Sequence, residues 1–130
     1  MVKRFIEWIY TKIIIDKTER VDLVITEGQV FWCSLGENIG YEQNGKDEFF
    51  RRPVLIFKKF NNDMFWGIPM SSKLKDGIYH ISVSLVGFER SVILSQLRVL
   101  DSKRLDQFIG HVSKESFSDI KRRIIELINV

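Results

Sequence analysis

The stretch RPVLIFKKFNNDMFWGIPM, Arg52 to Met70, decides the fold. Two runs rich in Val, Ile, Phe and Trp flank Asn61-Asn62-Asp63. β-Branched and aromatic residues suit a pleated, half-buried surface, and Asn and Asp accept the backbone of a tight turn, so the stretch reads as a β-hairpin. Similar runs lie on both sides: VDLVI from Val21, GQVFWCSL from Gly28, IYHISVSL from Ile78 and SVILSQL from Ser91. Gly, Asn, Asp and Lys separate them, which is the pattern of several strands joined by turns. Tyr79, Ile81, Val83 and Leu85 alternate with His80, Ser82 and Ser84, predicting an antiparallel strand with one wet face.

Helical spacing marks the two ends. Phe5, Ile6, Ile9, Ile13 and Ile14 recur with Lys12, Asp16 and Lys17 between them, predicting a helix over residues 2–16. It packs on its own domain or on a partner, the first being the simpler reading. Ser102 to Asp106 reads as a short helical turn. Ser116 precedes Asp119 by three, an approximate capping box, and Phe117, Ile120, Ile124, Leu127 and Ile128 follow on one face. Lys121, Arg122 and Arg123 fall on the other face, as a solvated surface does. The expected order is helix, five or six short antiparallel strands, helix, and strands this short close into a small bent barrel or sandwich.

Composition narrows the function classes. The 130 residues suit one domain, and 45% hydrophobic with 28% charged residues is ordinary globular composition. A formal charge of +3 permits a nucleic-acid partner without establishing one. Cys33, the one cysteine, sits in an apolar run and reads as a buried thiol. With two histidines, His80 and His111, no spaced zinc cluster is possible, and no metal ligand set is expected. Both read as ordinary surface histidines, His80 on the wet strand face and His111 in a loop. Neither a phosphate-binding glycine loop nor a nucleophile elbow is present. Trp32 and Trp66 read as core residues, with base stacking as the alternative. No apolar run is long enough to span a bilayer, and the charged residues Glu7, Lys12 and Asp16 interrupt the first apolar segment, so a membrane partner is not expected and the cytoplasm is the expected location.

The segment Gly40-Tyr41-Glu42-Gln43-Asn44-Gly45, followed by Arg52-Pro53-Val54-Leu55-Ile56, resembles the G-x-E-Q-x-G loop and R-P-V strand of the PemK/MazF toxin family. Ile68-Pro69-Met70-Ser71-Ser72-Lys73 is similar to that family's second motif, an apolar strand end followed by a hydroxyl residue. Ser91 to Arg98, then Asp101 and Lys103-Arg104-Leu105, resembles its third. The three motifs occur in order over residues 27–110.

The resemblance implies an α+β fold, a small SH3-like antiparallel β-barrel with an N-terminal and a C-terminal helix. The chain would be one domain, 1–130, with an extra helix at 1–17, a barrel core at 27–110 and a C-terminal helix at 113–130. It implies a homodimeric, cofactor-free endoribonuclease that cuts single-stranded mRNA without a metal. The implied partner is a cognate antitoxin, acidic and partly disordered. Arg52 and Ser71 match the family's catalytic pair. Glu42, Gln43, Ser72, Lys73, Gln96 and Arg98 become candidate RNA-binding residues, with Gln96 and Arg98 open to a second reading as loop anchors. Two alternatives stay open: a protein that poisons gyrase by contact, as the related CcdB toxins do, and a non-catalytic RNA-binding module.

The chemistry stands without the resemblance. RNA cleavage by its own 2′-hydroxyl needs in-line geometry and stabilisation of charge on phosphorus, and the arginine fork matches phosphate oxygens. Pro53 biases Arg52 to extended backbone, which aims its side chain off the start of a strand. A surface arginine pairing with Asp47 or Glu48 is the competing reading. The base is open among Glu42, a water and none. The chain departs from the family pattern at Tyr41, where some members carry histidine, and at Ser95, where some carry aspartate. It also inserts Lys46 to Arg51, and Phe49 and Phe50 within that insert read as barrel plugs or as a lid over the groove.

Overall fold

The computed structural model describes residues 3–19 and 23–129. Within it α1 (Phe5–Lys17) precedes seven strands: β1 (Gln29–Ser34), β2 (Arg51–Lys59), β3 (Met64–Ser71), β4 (His80–Leu85), β5 (Phe88–Ile93), β6 (Arg98–Asp101) and β7 (Leu105–His111). Helix α2 (Lys114–Ile128) closes the chain. All pairings are antiparallel, in the order β4-β5-β3-β2-β1-β7, and β6 pairs with β3. The sheet curls into a half-barrel flanked by the two helices, the α+β fold expected.

The hairpin turn falls at Asn61 to Asp63. Asn61 Oδ1 accepts from the backbone N–H groups of Asp63 and Met64, both at 2.8 Å, which is why Asn starts the turn. One edge of β3 serves two partners in succession. Met64 to Gly67 pair with β6, and Met70 and Ser71 with β5. Gly67 sits where the partner changes; a Cβ there would lie within 2.9 Å of Val54, Leu100 and Phe65, so the close packing needs glycine.

Alternation along β2 sends neighbouring residues into two cores. Leu55 joins Val30, Ile68, Met70 and Val92 beneath Ile120 and Ile124 of α2. Val54 and Ile56 join Phe31, Phe65 and Leu100 on the other face, with Cys33 fully buried among them. In β4 Val83 and Leu85 are buried while Ser82 and Ser84 are exposed, as the alternation predicted, but Tyr79 falls before the strand and is exposed.

Several expectations need correction. Among the described residues seven strands form, not five or six. Strand β7 eluded the sequence reading because only Leu105 within it is buried and two register shifts break its pairing with β1. The described part of VDLVI, Leu23 to Ile25, is not a strand, and Val21 and Asp22 lie outside the described residues, as do Val2 of the first helix and Val130 of the last. The cap of α2 is Ser113, whose hydroxyl accepts from Ser116 N–H at 3.0 Å, so Ser116 lies inside the first turn. His111 ends β7 and is not in a loop. Trp66 is 42% exposed, edge-on to Phe60, and is not a core residue; Trp32 is half-buried.

Helix α1 departs furthest from expectation. Trp8 is its one buried residue among those described, while Phe5, Ile6, Ile9, Ile13 and Ile14 are exposed. Trp8 fills the space over Gly36, where a Cβ would come within 2.2 Å of the indole, and meets the Phe50 ring at 5.4 Å. The helix therefore grips the loop before β2 chiefly through Trp8 and leaves Ile6, Ile9, Ile13 and Ile14 exposed.

Candidate active site

Hairpin register brings Arg52 and Ser71 together. Val54 pairs with Pro69 and Leu55 with Ile68, so carrying the register two residues on sets Arg52 opposite Ser71. Adjacent strands are about 4.8 Å apart, and facing residues share a side of the sheet. Ser71 in turn pairs with Ser91, and Ser91 with Ser82.

Over this row lies an open groove of about 440 Å³. It takes in the predicted Gln43, Arg52, Ser71, Lys73 and Gln96, together with Tyr41, Lys46, Lys75, His80, Ile93 and Ser95. Four cationic side chains face it, and no carboxylate does among the described lining residues. Such a concave, single-sign surface concentrates anions. Glu42 and Arg98 lie instead in a neighbouring groove of about 320 Å³, across the wall that Gln43 and Gln96 share. Ser72 is exposed and lines neither.

The loop before β2 holds the Arg52 guanidinium from one side. Its Nε donates to the Asn44 carbonyl at 2.5 Å. With the Gln43 amide oxygen turned inward, as its donors require, Nε and Nη2 also donate to that oxygen at 2.7 and 2.8 Å. Nη1 has no hydrogen-bond partner among the described residues and remains to meet a ligand. Burial alone pushes the Arg52 pKa below its ordinary value, the direction expected when a cation loses water without gaining a carboxylate. Arginine remains protonated through such a shift.

Arg51 behaves oppositely. It pairs with Asp47 at 3.2 Å and Asp106 at 2.6 Å, and hydrogen bonds to these two raise its pKa against the opposing effect of burial, which is the largest single contribution. The surface-pairing reading offered for Arg52 thus describes its neighbour. The inserted residues fold back on themselves, Lys46 and Arg51 exchanging backbone hydrogen bonds at 2.8 and 2.7 Å. Phe50 turns inward as a plug, 1% exposed, while Phe49 is exposed under Arg51.

Other side chains are committed to structure. Gln96 accepts from Gln43 N–H and donates to the Tyr41 carbonyl, each at 3.0 Å, so it anchors the loop. Glu42 accepts from Ile39 N–H at 3.0 Å and closes a turn, lining the smaller groove rather than that of Arg52. Ser71 Oγ accepts from Lys73 N–H at 3.2 Å, leaving its own proton available to a ligand. On α2, Lys121 and Arg122 are solvated as expected, but Arg123 donates to the carbonyls of Gly77, Ile78 and His80. Sequence reasoning missed Lys46, Lys75 and His80 as groove residues; the alternation in β4, which sets His80 on the face of Ser82 and opposite to Val83, was the available signal.

Among the described residues no helix is long and apolar enough to cross a membrane. A family model for the PemK-like, MazF-like toxin of type II toxin–antitoxin systems matches residues 26–128. No curated protein sequence matches significantly. Among solved structures, MazF from Deinococcus radiodurans superposes with a TM-score of 0.67 at 18% identity, over 84% of this chain and 100% of that one. A MazE–MazF complex from the same organism gives 0.63 at 16%, over 82% and 97%. An endoribonuclease from a mycobacterial species, bound to its cognate antitoxin, gives 0.62 at 13%, over 82% and 97%. At such identities the likeness speaks for the fold.

Proposed function

The chain belongs to the PemK-like, MazF-like toxin family of type II toxin–antitoxin systems, and from that premise we propose that it is an endoribonuclease acting on single-stranded RNA. The observation that carries the reading is the Arg52 guanidinium. It is held side-on by Gln43 and Asn44, with Nη1 unpartnered among the described residues, in a groove shared with Ser71 and three lysines.

The reaction follows from that placement. The 2′-oxygen attacks the adjacent phosphorus, the bond to the 5′-oxygen breaks, and a 2′,3′-cyclic phosphate and a 5′-hydroxyl result. The nucleophile belongs to the substrate, so the protein's task is orientation and charge stabilisation. Arg52 Nη1 donates to a non-bridging oxygen as negative charge builds there, and the Ser71 hydroxyl donates to the second. Lys46, Lys73 and Lys75 neutralise flanking phosphates, which makes binding weaken with salt. The chemistry asks for no metal.

Two of the similar structures are complexes with an antitoxin. By the same charge argument, an extended acidic antitoxin segment fits the lysine-lined groove and excludes RNA from it. A homodimer and a cytoplasmic location complete the proposal. The test is cleavage of a mixed-sequence RNA pool with EDTA present. Wild type leaves cyclic phosphate ends, and Arg52→Ala loses about 10²–10³-fold or more in kcat while staying folded. Intact RNA after incubation with folded, antitoxin-free protein would refute the reading, and gyrase inhibition in its place would favour action by protein contact.

A further inference from the structure

Resting on the ribonuclease reading of the same groove, we propose that His80 is its general base, taking the proton from the attacking 2′-hydroxyl. His80 opens β4 and pairs with Ile93, two residues from the Ser82–Ser91 pair that continues to Ser71. Residues two apart along a strand share a face. The imidazole therefore stands on the face of Ser71, two strands across and two residues along, with backbones roughly 12 Å apart at the usual spacings. In-line displacement puts the attacking and leaving oxygens on opposite sides of phosphorus. Arg52 and Ser71 border one side of the groove and His80 the other, so a phosphodiester lying between them meets charge stabilisation and a proton acceptor together.

Elimination reaches the same residue. The guanidinium stays protonated, lysine and tyrosine ordinarily hold their protons near neutrality, and serine and amide side chains are not bases there. Glu42 closes its turn outside this groove. Of the side chains lining it, imidazole is the one suited to accept a proton at neutral pH. The ring makes no hydrogen bond among the described residues, while its backbone is fixed: the N–H donates to the Gly77 carbonyl and the carbonyl accepts from Arg123 at 3.1 Å. Charged groups approach from each neighbouring element. Lys73 and Lys75 come from the β3–β4 loop, Lys46 and Arg52 from β2 and the turn before it, and Arg123 from α2, with the Tyr41 phenol across the groove. Strand β5 and the turn after it offer the uncharged Ile93, Ser95 and Gln96.

In the step, the 2′-O–H proton passes to the imidazole as the O2′–P bond forms and the P–O5′ bond breaks. The leaving oxygen takes a proton from water, and the imidazolium returns its own to solvent, so no proton is consumed. The experiment is single-turnover cleavage of one RNA oligonucleotide by the full chain, as wild type, His80→Gln and His80→Ala, from pH 5 to 9. Loss of the cleavage rate constant by about 10²–10³-fold in both variants, a half-saturating concentration within about twofold of wild type, loss of the wild-type acidic limb, and partial rescue of His80→Ala by added imidazole are expected. Cleavage by the variants at wild-type rate and pH profile, or a loss that imidazole does not rescue, overturns the role of His80 alone. RNA left intact by the wild type overturns the ribonuclease reading itself.

Discussion

Replacing Trp8 by alanine tests whether α1 is held chiefly by one residue and whether that residue steadies the loop that holds Arg52. Trp8 is 6% exposed, sits over Gly36, touches Phe50, and lies beneath the Arg104 guanidinium at 5.8 Å. Buried Trp→Ala changes cost about 3–5 kcal/mol. The lower end applies, because the ring is clamped between a helix and a loop that can close over the gap. The 13 residues of α1 are too few to stay helical alone, so loss of the anchor melts the helix. The links that remain include Lys3 Nζ to the Asn38 and Gly40 carbonyls, Arg4 to Glu37 and to the Asp47 carbonyl, Arg4 over the Phe50 ring, and Lys103 Nζ to the Asp16 carbonyl, mostly at exposed positions. We expect a loss of about 3 kcal/mol in urea unfolding and a Tm lower by about 10 °C. Amide exchange across residues 35–46 should quicken, and because Gln43 and Asn44 in that loop hold Arg52, cleavage should fall as well. A loss under about 1 kcal/mol, or unchanged exchange in the loop, would refute the reasoning.

Arg51→Ala separates the two adjacent arginines: it should cost about 1 kcal/mol, since both its ion pairs are partly solvated, and leave RNA cleavage within about threefold of wild type, where Arg52→Ala loses it. Gly45→Ala places a Cβ 1.6 Å from the Phe50 carbonyl, so the turn has to open; thermal melting should show a loss of about 3 kcal/mol or more, with cleavage lost as the loop releases Arg52. Ser113→Ala removes the cap of α2 and should cost about 1 kcal/mol in denaturant unfolding, whereas Ser116→Ala should cost less than half as much.

The Arg52–Ser71 neighbourhood was legible because it is a property of one hairpin. A turn at Asn61 to Asp63 folds two runs of matching length onto each other, and residues nine or so from the turn on either side then meet. Lys73 follows from Ser71 by adjacency, and Gln43 from the loop motif beside Arg52. The insertion looked like a single polar loop, yet Arg51 and Arg52 alternate in direction along β2, one to Asp47 and Asp106 and the other into the groove. Adjacent residues on a strand point to opposite faces, but which face holds the groove depends on strands 20 to 40 residues later.

By itself the sequence determined what short-range physics controls: the strand runs and their alternation, the turn, the helical ends, the buried Cys33 and the family motifs. Tertiary structure decided what depends on distant partners. It set Lys46, Lys75 and His80 in the groove of Arg52, His80 because β5 joins β4 to β3. It moved Glu42 and Arg98 to a second groove, and turned Gln96 into a loop anchor by aiming its amide at Tyr41 and Gln43. It left the isoleucines of α1 uncovered although their spacing predicted packing, since a periodic apolar pattern states that a face prefers burial and only the rest of the fold supplies a surface to bury it against.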